Sequence, residues 1–489
     1  MKCITTLLLL IITTLSYGQV EHPAFRLRLD HATCCEDLTV DLNRTFPFYT
    51  GQSEASQDCG HQLFLEDSFN RKLELRQQPG ITAGMWVLSN MRDTSAWRPL
   101  HRIQSRLQVR PLDWLIFQHS FEVYSHDVPS NSWSADWGGF YAGSREAFLL
   151  LQRANFRLLA GRFAPVTGPH GVHSLLFSSR NTLDGYDLEF NLPLSWGDLW
   201  FSANHWQLDD QPVTFGNARR YLAGHRLGYT RTGSFSLALA ELFLYGGVNA
   251  VPTASTLNPF LIYHSLQMNG FEGNTMYHIS GWWRPWRGLL LTSELLLDDI
   301  QFDNDQPADR EPAEWALALG LRAAPQSLPM VMALEYTRVA PRTYNAPLSY
   351  QRWQKQGQPL AHPNGSDFDR LSLQFSYNGW RYLQPALITA YRRTGEHGLF
   401  ADWDTPWLDP VADDDYSESF PTGVVEKELS VTMQVTGHWR DCEFIVRGTS
   451  LSWRNYRHSP DNQDDLQIEF EINLFLEQLL NWEFTPLDL

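Results

Sequence analysis

Leu466-Gln467-Ile468-Glu469-Phe470-Glu471-Ile472-Asn473-Leu474-Phe475-Leu476 decides the fold: apolar residues hold every even position, and polar residues hold most of the odd ones. Side chains alternate across a strand with period two, so this stretch has one apolar face and one largely polar face. At about ten residues it is long enough to cross a hydrocarbon layer when tilted. The pattern recurs. Val425, Leu429, Val431, Met433 and Val435 alternate with Glu426, Glu428, Ser430, Thr432, Gln434 and Thr436, and Leu371, Leu373, Phe375 and Tyr377 alternate with Ser372, Gln374 and Ser376. Repetition of this kind predicts an all-β chain, a transmembrane antiparallel β-barrel.

The N-terminus supports export. Lys2 precedes a mostly apolar run from Ile4 to Leu15, and Ser16-Tyr17-Gly18 places small residues at the −3 and −1 positions of a cleavage site before Gln19. The run is shorter than the roughly 20 residues that a spanning helix needs. The longest later candidate, Leu289 to Leu297, is broken by Thr292, Ser293 and Glu294. The sequence therefore divides into a signal peptide (1–18), an N-terminal periplasmic or plug segment (19–79), a barrel (80–478) and a short tail (479–489).

Composition fits a barrel in a bacterial outer membrane, with membrane lipid as its first partner. Aromatic residues make up 13% of the chain, with 19 Trp, while the hydrophobic fraction is an ordinary 43%. That balance suits strands with one face in lipid and the other toward a polar lumen. A formal charge of −17 argues against nucleic acid, which needs a basic footprint. Cys34, Cys35, Cys59 and Cys442 remain after signal removal and show no metal-ligand spacing, so neither a metal nor a cofactor is expected. The first three are compatible with one periplasmic disulfide whose pairing the sequence leaves open.

Eighteen strands can be placed between residues 81 and 477, among them 221–230, 289–297 and 314–323. Tight turns such as Ser195-Trp196-Gly197-Asp198, Pro285-Trp286-Arg287-Gly288 and Asn378-Gly379-Trp380 tend to alternate with long loops. Short periplasmic turns against long extracellular loops is the asymmetry of outer-membrane barrels, and an even strand number returns both termini to the periplasm. A sandwich or propeller has no reason to alternate its connections in this way. Residues 20–78 lack sustained alternation; Glu36–Asn43 and Glu66–Arg76 could form short helices.

The loops carry the functional signals. Asp402, Asp404, Asp409, Asp413, Asp414, Asp415 and Glu418 crowd one loop with Trp403 and Trp407 and no basic residue, and Trp133, Trp137 and Trp353 mark others. Indole faces stack on sugar rings and carboxylates accept bonds from sugar hydroxyls, so the loop suits a polysaccharide; a solvated acidic loop beside an interfacial aromatic belt has the same composition. Gly168-Pro169 makes a sharp bend, followed by the apolar run Leu175-Leu176-Phe177. An apolar run in an extracellular loop must pack somewhere, and folding into the mouth as a plug is the expectation. With Leu291, Leu295 and Leu297 outward, Thr292, Glu294 and Asp298 face the lumen or its rim, as do Glu335 and Thr337. Arg157, Arg162 and Arg338 are candidate partners for such carboxylates, since an unpaired buried charge is costly. Glu294, Asp298 and Arg338 thus serve either an ion-pair network or a ligand.

These pieces together resemble the outer-membrane capsule-assembly proteins of the Wzi type. The resemblance rests on Gly161-Arg162, Gly168-Pro169 and Ser174-Leu175-Leu176-Phe177-Ser178; on Glu241, Tyr245-Gly246 and Asn258-Pro259; on Glu294 and Asp298-Asp299; and on Tyr336-Thr337-Arg338 followed by Gly357-Gln358-Pro359-Leu360-Ala361-His362, Gly365 and Asp367. It covers roughly residues 140–395, and Thr167 stands where the family often has Trp. It implies an eighteen-stranded barrel, occluded by loops, that holds capsular or exopolysaccharide at the cell surface as a lectin and has no enzymatic activity. A monomer is expected. The alternative from the residues alone is a porin or specific channel, which needs an open polar lumen. An outer-membrane hydrolase is disfavoured: His119 beside Ser120 and His278 near Ser280 lie on strands without a GxSxG elbow.

Overall fold

The computed structural model describes residues 80–93, 97–112, 114–125, 135–137, 140–153, 155–165, 168–169, 173–178, 181–231, 233–300, 310–325, 328–380, 382–409, 416–439 and 442–483. The expected signal, the segment before residue 80, Cys34, Cys35, Cys59, Trp133 and Asp413, Asp414 and Asp415 lie outside them. Eighteen long strands form one antiparallel sheet. They are β1 (Gly80–Asp93), β2 (Trp97–Leu112), β3 (Leu115–Ser125), β4 (Phe140–Arg153), β5 (Phe156–Phe163), β6 (Leu183–Leu194), β7 (Gly197–Gln207), β8 (Gly216–Arg231) and β9 (Phe235–Val248). The second half comprises β10 (Gly273–Trp286), β11 (Leu289–Asp299), β12 (Glu314–Ala323), β13 (Met330–Val339), β14 (Phe368–Tyr377), β15 (Leu383–Thr394), β16 (Glu426–Trp439), β17 (Cys442–Arg454) and β18 (Gln463–Glu483). Each pairs with its sequence neighbour, and β1 pairs with β18 from Gly80↔Glu483 to Arg92↔Glu469, closing the barrel. Closure gives each of the eighteen strands a partner on both sides, as a hydrocarbon environment requires. The last strand continues to Glu483, past the expected boundary at 478.

The faces are inverted relative to a water-soluble protein. On the first-read strand Leu466, Phe470 and Ile472 are exposed, whereas Glu471 is buried; Leu371, Leu373, Leu429, Met433 and Val435 are likewise exposed. Ser202, Arg226, Ser280, Glu294, Arg322 and Ser372 point inward and are buried. The pairing register aligns outward residues into rungs, and one of them runs Phe190, Phe201, Leu227, Leu239, Ile279, Leu295 and Leu317 around the wall. Exposed Trp114, Trp196, Trp286, Trp380 and Trp439 all sit at short turns, so they mark a single rim. Such a girdle belongs at a membrane–water interface, where the indole ring rests in the headgroup layer.

Long connections gather at the other rim: 164–182, 249–272, 300–313, 340–367 and 395–425. The link 94–96 between β1 and β2 is the short exception on that side. An epitope inserted near residue 410 is therefore expected to bind antibody on intact cells, and one at residues 286–288 only after permeabilisation. Labelling at both sites, or at neither, would contradict this orientation.

Candidate functional site

Loop 164–182 turns into the barrel, and its apolar stretch becomes a wedge. Leu175, Leu176 and Phe177 are fully buried, in one cluster with inward residues such as Leu222, Leu242 and Leu296 and with Trp353 and Leu360 of loop 340–367. The Phe177 ring lies 5.2 Å from Trp206 and 5.7 Å from Trp353. Glu294, in the middle of β11, fixes the wedge from the wall: its Oε2 accepts Ser174 Oγ at 2.9 Å and the Leu175 amide at 2.8 Å. His278 Nε2 stands 3.1 Å from the same oxygen. Ser174 and His278 thus meet at one carboxylate oxygen, which ties the wedge to the wall.

The Gly168-Pro169 bend packs against this knot. Gly168 has φ +87°, and a Cβ there would lie 2.6 Å from Glu294 Oε1, so both conformation and space favour glycine. Buried Pro169 follows it. Asp298 holds the neighbouring loop: it accepts the Tyr344 amide at 2.6 Å, and the Tyr344 hydroxyl donates to the Leu175 carbonyl at 2.6 Å. Trp353 Nε1 donates to the Leu176 carbonyl at 2.9 Å and the Ser178 amide to the Leu360 carbonyl at 2.7 Å. Glu294 and Asp298 are thereby engaged in anchoring two loops to one strand. Trp353, expected among exposed loop tryptophans, is instead fully buried in the wedge cluster.

Loop 340–367 is tied down on its other side by Arg220. This fully buried side chain donates to the carbonyls of Tyr350 (2.7 Å), Gln354 (2.9 Å) and Arg352 (2.5 Å) and to Asp209 (2.8 Å). Lys355 donates to the Thr182 carbonyl, linking the loop to the start of β6. Burial lowers its ammonium to about 8, against the pull of Asp184 and Asp209. Asp367 closes the set by accepting the His397 amide at 3.0 Å and the Thr422 amide and hydroxyl. Loops 164–182, 340–367 and 395–425 form one interlocked body.

The acidic, tryptophan-bearing loop has a cation after all, supplied from outside its own sequence. Arg342 donates to Glu418 Oε1 at 3.0 and 2.7 Å and to Asp404 Oδ1 at 2.6 Å. Its guanidinium lies 5.5 Å from the Trp403 ring and 4.9 Å from that of Trp407. Burial opposes the charge of Arg342, but the bonds to Glu418 and Asp404 outweigh it and raise its affinity for the proton. Trp407 is buried in this arrangement, Trp403 is half-buried, and Asp402 and Asp404 remain exposed. The contact between the two indoles, 6.3 Å at 87°, is edge-on.

Arg338 departs from expectation. Even positions of β13 point outward with exposed Leu334, so Arg338 lies opposite in phase to Glu335 and Thr337, with its guanidinium 5.0 Å from Trp315 and 3.9 Å from Phe420. Arg162 is also outward and pairs with Asp184 at 2.8 Å, whereas Arg157 faces the lumen, 3.8 Å from Glu189. Most of the inward charge pairs elsewhere: Arg322 with Glu335 (3.1 Å), Arg392 with Glu428 (2.7 Å) and Arg447 with Glu469 (3.1 Å) and Glu471 (3.0 Å).

Glu311, in the loop before β12, should give the long-loop rim a pH dependence. Burial and then Asp299 push its carboxyl up to about 7, with Arg342 pulling the other way. A raised carboxyl favours the folded state while protonated, so its contribution is complete below the ordinary value and is lost as pH rises through about 7. Hydrogen exchange around residues 311–316 should show protection falling from about pH 5 to about pH 8, after correction for intrinsic rates. Glu311→Gln should flatten that dependence; an unchanged profile in the variant would assign the effect elsewhere.

No family model matches the chain, and no curated protein matches it. Among solved structures it is similar to Wzi of Escherichia coli, reported as an outer membrane protein involved in group 1 capsule assembly and a carbohydrate-binding β-barrel. The TM-score is 0.60 at 11% identity, over 94% of this chain and 99% of that one. OprD of Pseudomonas aeruginosa (TM-score 0.45, 11% identity, 82% of this chain and 96% of that one) and OccAB4 of Acinetobacter baumannii (0.45, 11%, 82% and 98%) are also similar. The likeness to Wzi, together with the closed register and the inverted faces, gives this chain the fold of an outer-membrane β-barrel.

Proposed function

We propose that this protein resides in the outer membrane, binds a capsular or exopolysaccharide glycan at its extracellular face, and helps attach or assemble that glycan at the cell surface. In this reading residues 1–18 direct export and 19–79 lie beneath or within the barrel. The observation that carries the proposal is the wedge: buried Leu175, Leu176 and Phe177, with three interlocked loops around them, make the extracellular end a surface rather than a passage. Half-buried Trp403 beside exposed Asp402 and Asp404 offers that surface a stacking face and hydroxyl acceptors. The carbohydrate-binding role reported for Wzi supports the same reading. We propose no enzymatic role.

A channel is the second reading, favoured by the charged inner wall from Arg322–Glu335 to Arg447–Glu471, which suits a hydrated lumen. Polysaccharide retention by the purified protein, measured beside its conductance in planar bilayers, separates the two. The lectin reading expects retention of an acidic or neutral polymer, weak per site and strengthened by many repeats, with little steady current. Trp403→Ala should weaken each site about fivefold, from a stacking contribution of about 1 kcal/mol. Large stable currents with no retention at any ionic strength would install the channel instead.

A further inference from the structure

Loop 249–272 behaves unlike the three that fill the mouth. It turns outward and lies against the outer wall, with helix α1 (Tyr263–Met268) at its centre. Its underside packs on residues that face away from the lumen: buried Tyr221, Ala223, Phe243 and Tyr245 gather around Tyr263. The Phe260 ring stacks on Phe201 at 5.7 Å and 8°. Phe201 belongs to the apolar rung that includes Leu227, Leu239 and Ile279, so the loop reaches down to the level where the barrel meets hydrocarbon.

Beneath the loop lies the polar group that makes it necessary. Glu241 points outward, one rung above Leu239. From Phe235, near the tryptophan rim, to Glu241 the tilted strand rises about 15 Å, inside an apolar band about 25 Å tall. A bare carboxylate at that depth would face lipid without donors. The loop supplies them: the amides of Tyr263 and His264 donate to Glu241 at 2.9 and 2.8 Å, and His225 Nε2 approaches at 3.3 Å. Thr256 accepts the Tyr245 hydroxyl at 3.0 Å, and that oxygen also meets His205 Nε2 at 2.8 Å. Glu241 and the Tyr245 hydroxyl thus find hydrogen-bond partners in the loop and on β7.

Its other side displays large apolar side chains, with Thr253, His264, Ser265 and Asn269 exposed among them. Phe260 is 81% exposed, Met268 74%, Ile262 62% and Val251 55%. Residues 249–271 contain no Asp, Glu, Lys or Arg, in a chain whose charged fraction is 19%. An extracellular loop in water has no need to shed every charge while displaying large apolar side chains. We propose that loop 249–272 is a membrane-embedded elbow, docked on the outer wall through Glu241 and seated among the acyl chains of the outer leaflet through Phe260, Ile262 and Met268. The apolar surface of the elbow is continuous with the lipid-facing rung, which identifies lipid as its occupant. This inference rests on the membrane-barrel reading and extends it to a loop that the strand pattern does not cover.

Site-directed spin labelling in phosphatidylcholine vesicles tests it. Single cysteines would be placed by Phe260→Cys and Ile262→Cys on the elbow, Leu239→Cys on the rung and Trp403→Cys at the mouth. The full chain would carry Ser at positions 3, 34, 35, 59 and 442, and each variant would first be checked for folded, heat-modifiable migration. The ratio of collisions with oxygen to collisions with a water-soluble nickel chelate should match at 260, 262 and 239 and exceed that at 403 several-fold. A water-like ratio at either elbow position, with 239 still lipid-like, overturns the elbow. A water-like ratio at 239 as well overturns the membrane barrel itself.

Discussion

Phe470→Arg should lower the stability of the barrel by about 2–4 kcal/mol, the cost of a cation facing lipid near the bilayer midplane. Phe470 is outward and exposed, opposite Val446. On the same strand Leu474 lies level with Cys442 beside the Trp439 turn, so Phe470 sits well inside the band rather than at its rim. The neighbouring Glu469→Gln change falls on the other face, where Glu469 meets Arg447 at 3.1 Å with about a quarter of each side chain still accessible. Arg447 keeps Glu471 at 3.0 Å and Gln434 at 2.8 Å, and a hydrated pair contributes about 1 kcal/mol or less. Denaturant titration in lipid vesicles compares the two variants. Equal losses would mean that Phe470 does not face lipid.

The contrast between those neighbours explains why the fold was legible. A lipid-facing wall must be apolar at every second residue, so period-two alternation survives even in a single sequence. The expected strands 289–297 and 314–323 correspond to β11 and β12, and the other sixteen expected segments each overlap a strand. Ends were less legible: β8 begins at Gly216, whereas alternation suggests residue 221, because above the hydrocarbon neither face has to be apolar. The same period-two rule places Arg338 outward once Glu335 and Thr337 face inward, and so separates it from the lumen carboxylates.

Loop contacts were less legible for a physical reason. Arg342 is remote in sequence from Trp403, Asp404, Trp407 and Glu418, and nothing local to either segment announces the other. Composition suggested an acidic surface open to a ligand; three-dimensional pairing spends Glu418 and the buried Trp407 on an internal guanidinium and leaves Trp403, Asp402 and Asp404 nearer solvent. The wedge could be anticipated because an apolar run in a loop must pack somewhere. Its attachment to Glu294 could not, since a mid-strand inward carboxylate looks the same whether it binds a loop, a ligand or an arginine. The outward loop leaves one trace legible in a single sequence, the absence of Asp, Glu, Lys and Arg from residue 249 to residue 271.

Deleting residues 172–178 should convert a nearly silent protein into one with steady conductance in planar bilayers. Burial of Leu175, Leu176 and Phe177 stabilises the wedge by about 1.5–3 kcal/mol per side chain, and the deletion removes all three at once. Loop 340–367 then loses the acceptors for Tyr344 and Trp353, since both bond wedge carbonyls, so its own seat in the lumen should loosen as well. A milder test is Glu294→Ala. It takes the acceptor from Ser174, from the Leu175 amide and from the His278 contact while leaving the apolar contacts in place. Breaking a buried charged anchor costs about 3–5 kcal/mol, less than the whole wedge, so this variant should flicker open rather than conduct continuously. Silence in both variants would mean that loops 340–367 and 395–425, held by Arg220 and Asp367, or the N-terminal segment 19–79 seal the barrel without the wedge. Currents in the deletion variant alongside undiminished polysaccharide retention would separate the two roles, with the wedge closing the lumen and the loops around Trp403 holding the glycan.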